Sequence, residues 1–191
     1  MGSWNDAGET IIAGSGEVYV APVGTALPAN ESSALNSAFA GLGYHSEDGV
    51  ALANAPELKK FGAWQSKKPI RLERGDEEFR LTFQLLQWNE NNVPLAFGGG
   101  DVTDLGSSHY KYTPPLSTDD PDEKALICDV IDGANILRIV IPRGLAVESV
   151  ESELNRDAMG VLPITFEAME PETGGEAWYF LTNIAGFATG S

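Results

Sequence analysis

Glu78-Phe79-Arg80-Leu81-Thr82-Phe83-Gln84-Leu85 alternates without a fault between polar and apolar side chains. Period two is the signature of a strand, because successive Cβ atoms point to opposite faces. Phe79, Leu81, Phe83 and Leu85 therefore face a core, while Glu78, Arg80, Thr82 and Gln84 face water. Such a run belongs to an antiparallel sheet with one buried face.

Turn signals surround it. Residues 70–74, Gly75-Asp76 and residues 77–86 read as a hairpin. Residues 44–47, Asp48-Gly49 and 50–53 read as another, and 125–131, Asp132-Gly133 and 134–141 as a third. Asp and Gly accept the positive φ of tight turns at low cost. Val18, Tyr19 and Val20 form a strand ended by Pro22 and Gly24. Residues 145–153 and 161–169 bracket the polar segment 154–160, and residues 178–184 make a last strand. Pro142 and Pro163 mark strand ends or edges, since proline donates nothing to a ladder. Residues 25–43 carry a helix signal: Ser32 or Ser33 as cap, Leu35, Ala38 and Phe39 on one face, Gly41 as stop. Roughly seven to nine strands with one or two short flanking helices predict a mainly β chain, an antiparallel β-sandwich or barrel.

The composition supports one packed domain. The chain has 191 residues, 42% of them hydrophobic, with a formal charge of −16. That charge argues against tight nucleic-acid binding and against docking on anionic lipid. A single cysteine, Cys128, excludes an internal disulfide framework. No apolar run approaches the roughly 20 residues of a membrane span, and the N-terminal stretch does not read as a secretory signal. A reducing cytoplasm is the expected folding compartment.

Catalytic chemistry is scarce. His45 and His109 stand far apart without metal-ligand spacing, and Cys128 sits in an apolar strand. Gly98-Gly99-Gly100 is followed by Asp101, not by Lys-Ser/Thr, so it is no phosphate loop. Gly14-Ser15-Gly16 lacks the third glycine of a dinucleotide site. Asp119, Asp120, Asp122 and Glu123 lack the spacing of a calcium loop and read as a solvated loop. The expectation is a non-enzyme without cofactor or metal. Paired carboxylates of a hydrolase and a carbohydrate-binding or adhesin-like β-sandwich, with Trp64, Trp88 and Trp178 as stacking platforms, are the alternatives.

The charge is segregated. Residues 59–74 carry +5 and the rest of the chain −21. Lys59, Lys60, Lys67, Lys68, Arg71 and Arg74 enclose Phe61 and Trp64. One reading is an extended loop that docks on an acidic partner through charge and aromatic anchors. The other is a solvated loop with Trp64 tucked onto its own sheet. The acidic surface of a second copy is an available partner, through Asp119, Asp120, Asp122 and Glu123 or through Glu148, Glu151, Glu153 and Asp157. Such a contact is heterologous and generates rings or filaments.

Several stretches resemble a known family. They are residues 16–28 (GEVYVAPVGTALP), Leu42-Gly43-Tyr44 with Ser46-Glu47-Asp48-Gly49-Val50, Ala63-Trp64-Gln65-Ser66 with Pro69 and Arg71, Thr82-Phe83-Gln84-Leu85, and Asn89-Glu90-Asn91 leading to Ala96-Phe97-Gly98-Gly99. In order and spacing the chain resembles the major tail tube proteins of long, flexible-tailed (siphovirus-type) bacteriophages, especially those of actinobacteria. The resemblance implies a β-sandwich with a flanking helix, assembled as hexameric rings that stack into a hollow tube for DNA. It implies a long loop reaching the adjacent ring, expected at residues 54–69, and terminal arms that help join rings. Residues 1–15, with Ile11 and Ile12, would be a flexible arm, residues 16–185 the tube domain and residues 186–191 a tail. Pro94 should shorten or displace the family's helix after the Asn-Glu segment. No immunoglobulin-like domain is expected after the last strand.

Implied partners are further copies and other tail proteins, such as tape measure, tail terminator and distal tail proteins. DNA would pass without specific binding, no membrane is involved, and the protein would be made in the host cytoplasm and end in the virion. Polar-face residues Glu73, Glu78, Thr82, Gln84, Thr165 and Glu167 are candidates for the lumen, although alternation does not distinguish lumen from outer wall.

Overall fold

The alternating strand lies second from one edge of an eight-stranded antiparallel sheet. In the computed structural model, which describes residues 6–148 and 150–187, the strands are β1 (Ser15–Pro22), β2 (Ala40–Gly41), β3 (His45–Ala63), β4 (Ser66–Leu85), β5 (Asp101–Gly106), β6 (His109–Thr113), β7 (Lys124–Asp132), β8 (Asn135–Ala146), β9 (Leu162–Ala168) and β10 (Tyr179–Thr182). The order is β2-β1-β7-β8-β9-β4-β3, with β10 also paired to β8; β5 and β6 form a separate hairpin. The path is open, so the barrel alternative does not form.

β8 belongs to two layers. Its residues 137–140 pair with β10, and Gly144, Leu145 and Ala146 pair with β9. Pro142, which cannot donate to a ladder, lies between the two segments. Val18, Val20, Leu126, Cys128, Ile139 and Ile141 from one layer meet Phe79, Leu81, Phe83, Leu85, Ile164 and Phe166 from the other in one buried cluster. Each large side chain buried there contributes about 1.5–3 kcal/mol. This is a sandwich-like core, filled from the face the alternation assigns to it.

Four local expectations are corrected. Residues 25–43 form turns and the short β2, not a helix. Asn30 Oδ1 accepts from the Ser32 amide and from the Ser32 and Ser33 hydroxyls, and Asn36 Oδ1 accepts from the Ala38 amide. These local bonds compete with helical ones. Asp48-Gly49 does not turn the chain. It sits in a register break of β3, between His45 and Val50, where Gly49 takes φ 71°. Gly75-Asp76 likewise forms a bulge inside β4, and the chain reverses instead at Trp64-Gln65. The expected strand 145–153 stops early, since β8 ends at Ala146.

Other expectations hold. The third hairpin forms, one residue along, with Asp132 opposite Asn135. Pro94 sits inside α1 (Asn92–Ala96), a helix of only five residues. Asn92 is fully buried and donates to the carbonyls of Leu42 and Gln87, tying α1 to both layers. Arg138 and Asp129 form a buried bidentate pair on the far face of the first layer, at 2.7 Å for both bonds. Arg138 Nη1 also donates to the carbonyls of Asn30 and Ser33, which holds the irregular segment against the sheet.

The arm is tethered where it is described. The Ile12 amide donates to Asp132 Oδ2 and the Gly14 amide to the Ile131 carbonyl. The 3-10 turns Ala7–Glu9 and Ala185–Phe187 pack against each other. Residues 1–5 of the expected arm and 188–191 of the expected tail lie outside the described residues.

Candidate assembly surface

β3 and β4 leave the sandwich together. Their paired register runs from His45 opposite Leu85 to Ala63 opposite Ser66. The expected loop 54–69 is thus mostly the outer half of a long β-hairpin.

The bulge sets which side chains share a face. Pro56 lies opposite Glu77 and Leu58 opposite Arg74, so β4 holds one residue more than β3 across this step. One extra residue shifts the alternation by one. Ile70 and Leu72 therefore continue the face of Phe79, Leu81 and Phe83, with Leu58 beside them on β3. At the root this face is core. Further out the same face is bare: Leu58, Ile70 and Leu72 are 53%, 64% and 60% exposed. Sequence reasoning missed this stripe, although the same alternation in Ile70-Arg71-Leu72 signals it.

Lys59, Lys60, Lys67, Lys68 and Arg71 are all exposed on this outer half, with Phe61 on the face of Arg71. Trp64 is 100% exposed at the tip, so it is not tucked onto its own sheet. β3 is also a sheet edge, with a row of backbone groups paired on one side only.

On the opposite face of β4 and β9 the structure brings the remaining polar candidates together. Arg80 lies opposite Glu167 and Thr82 opposite Thr165. Arg80 Nε donates to Glu167 at 2.8 Å, and its Nη2 lies 3.1 Å from Glu78. Those carboxylates, Glu167 first, push the Arg80 pKa up. Thr165 donates to Glu148 at 2.8 Å. Gln84 shares this face, and Glu73 joins it through the bulge, opposite Lys59. The face is mixed in charge, as the Arg80 position predicts.

The two acidic groups differ. Glu123 is held by Arg143 at 2.7 and 2.9 Å, which keeps its carboxyl below the usual range. Asp122 accepts from Lys124 at 2.6 Å, and Asp119 accepts from the Leu116 amide. No cation pairs with Asp120 among the described residues. Glu151, Glu153 and Asp157 are exposed around the 154–160 segment. Ile12 is exposed and Ile11 partly so.

The tryptophans do not share one platform. Trp178 stacks on Phe79 at 3.9 Å, Trp64 stands at the hairpin tip, and Trp88 follows the other end of β4. Burial pushes the Cys128 thiol up to about 12, which suits an inert core residue. His45 is half-buried, with its pKa pushed down by burial and its Nε2 without a partner. Among the described residues no group of His, Cys, Asp and Glu is placed to hold a metal ion, and no helix is long and apolar enough to cross a membrane.

The structure is thus an open-edged sandwich with a protruding apolar and basic hairpin. A family model described as phage tail tube protein matches residues 3–189, and the chain belongs to that family. It is a structural component of the bacteriophage virion. No match to the chain is found among curated proteins.

Proposed function

We propose that this protein forms hexameric rings that stack into the hollow tail tube of a long, flexible-tailed phage, and that genomic DNA passes through that tube to the host. The hairpin joins one ring to the next. The observation that carries this reading is the apolar stripe Leu58, Ile70 and Leu72, which continues the core face beyond the reach of the chain's own core. An exposed apolar stripe at the end of a basic arm calls for a covering partner.

Ring closure satisfies the free edges. The long edge of β3 invites pairing, and a neighbouring copy removes that liability. Six copies make the ring, and the Glu78, Thr82, Gln84, Thr165 and Glu167 face, with Glu73 beyond it, lines the lumen. Six charges of −16 repel a phosphate backbone, so DNA slides without sticking. The residues act by packing and charge rather than by catalysis, and no cofactor takes part. The terminal arm with Ile11 and Ile12 adds a second ring contact. Tape measure, tail terminator and distal tail proteins meet the tube inside and at its ends, and the chains are made in the host cytoplasm.

Electron microscopy of the purified protein tests this reading. Stacked rings or tubes are expected. Changing Lys59, Lys60, Lys67 and Lys68 together to Glu should abolish tube growth while leaving the folded subunit intact by circular dichroism. Normal tubes from that variant at physiological salt would overturn the role of the hairpin.

A further inference from the structure

The two ends of β4 carry opposite chemistry. Its first end is the tip, with Trp64 among lysines. Its 20 residues, at about 3.3 Å each, span roughly 65 Å. Glu90 lies five residues past Leu85, so it sits within about 18 Å of that second end.

Two recesses adjoin there and share Glu90 and Val102. The larger, about 740 Å³, is acidic, with Glu90, Asp101, Asp119, Asp120 and Asp122 against the single base Lys124. The smaller, about 550 Å³, is aromatic, with Trp88, Tyr110 and Tyr112 beside Val93 and Val102. Two of its walls are set before a partner arrives. Trp88 Nε1 donates to the Gly160 carbonyl at 3.1 Å, and the Tyr112 hydroxyl donates to the Gly99 carbonyl at 2.8 Å. Tyr110 projects from the same side of β6 as Tyr112 and is largely exposed.

A recess with an aromatic half and an acidic half matches a tip with an aromatic centre and a basic surround. We infer that the hairpin tip of one copy seats in this double recess of a copy in the next ring. Trp64 enters the aromatic half, between Trp88, Tyr110 and Tyr112, and the lysines run along the acidic half beside it. The inference rests on the reading that the hairpin joins rings, and it chooses between the two acidic groups. The group at Glu148, Glu151, Glu153 and Asp157 lines neither recess, and Glu148 already accepts from Thr165.

Geometry makes the second copy the occupant. With tip and recess at opposite ends of a strand of roughly 65 Å, a chain does not fill its own recess. The contact is heterologous, and each added copy presents the same free tip or recess as the last. Growth then runs along one axis.

The test uses full-length protein polymerised into tubes, with photoreactive benzoylphenylalanine placed at position 64 or, in a second variant that keeps Trp64, at position 65. Intermolecular cross-links to residues 88–112 are expected. Cross-links confined to residues 148–157 or elsewhere would overturn this docking place and leave the hairpin's connecting role intact. A charge swap gives an independent readout. Glu90→Lys, Asp119→Lys and Asp120→Lys together should abolish tube growth with native-like chains. Combining them with Lys59→Glu, Lys60→Glu, Lys67→Glu and Lys68→Glu should restore tubes. Tubes from the recess variant alone, or no restoration in the combined variant, would overturn the inference. Normal tubes from the lysine variant alone would instead overturn the underlying reading.

Discussion

The inner and outer halves of the β3–β4 hairpin are written in the same pattern and meet different fates. Phe79, Leu81, Phe83 and Leu85 are at most 3% exposed, whereas Leu58, Ile70 and Leu72 lie mostly in solvent on the same face. Strand and ladder continue through both halves, and the bulge between them keeps the apolar residues on one face. Only the covering layer ends. Period two therefore reports an apolar face, not that its own chain covers it. The inner half builds the core, and the outer half is the part proposed to join copies.

The contrast breaks most visibly at its root. Phe83→Ala should cost about 3–5 kcal/mol, because a large cavity opens between the layers. Urea unfolding of the subunit measures this loss. Asp129→Asn, in the sheet that faces the root, should cost about 3 kcal/mol by stranding the buried Arg138 guanidinium, read in the same assay.

Acid acts next, at the start of β3. Burial holds the His45 pKa below 6.5, and Nε2 has no acceptor. The unfolded chain therefore takes up the proton more readily, and stability falls as pH drops below 6.5 toward the lower folded value. The thermal midpoint should fall between about pH 7.5 and about pH 5.5, and His45→Gln should narrow that fall. The outer half should respond least in the free subunit. Leu58→Ser with Leu72→Ser should change unfolding free energy by less than about 1 kcal/mol, since both positions are already wet. The same double variant should fail to form tubes by electron microscopy. A large loss of subunit stability would erase the distinction between the halves.

Much of this architecture is legible from residue pattern. Alternation from Glu78 to Leu85 locates the core face, and the Asp132-Gly133 signal finds a hairpin to within one residue. The other two turn signals mislead for one reason. A residue that accepts positive φ, or needs no Cβ, serves a bulge as well as a turn. At Gly75 a Cβ would crowd the Glu57 and Lys59 side chains at 3.1 and 3.2 Å, so glycine marks a close approach within a continuing strand. The β5–β6 hairpin escaped reading, though His109-Tyr110-Lys111-Tyr112-Thr113 alternates. Its turn uses Ser107 and Ser108 at positive φ, which their residue types do not advertise. The basic tip was legible as charge in a row. The double recess was not, because residues 88 to 124 come together only through tertiary packing.

The joint between β4 and β9 has a mechanical consequence. A load applied to the hairpin tip along its strands draws β3 and β4 outward as a unit. The body resists through six residue pairs, from Arg80 opposite Glu167 to Leu85 opposite Leu162. The ladder runs parallel to the pull, with each pair lying across it. The pairs are loaded in shear, sharing the force at once instead of opening one after another like a zipper. Thr82 against Thr165 and Arg80 against Glu167 brace the same seam. In the proposed tube, tension carried by the hairpin would thus load a β-ladder along its strongest direction.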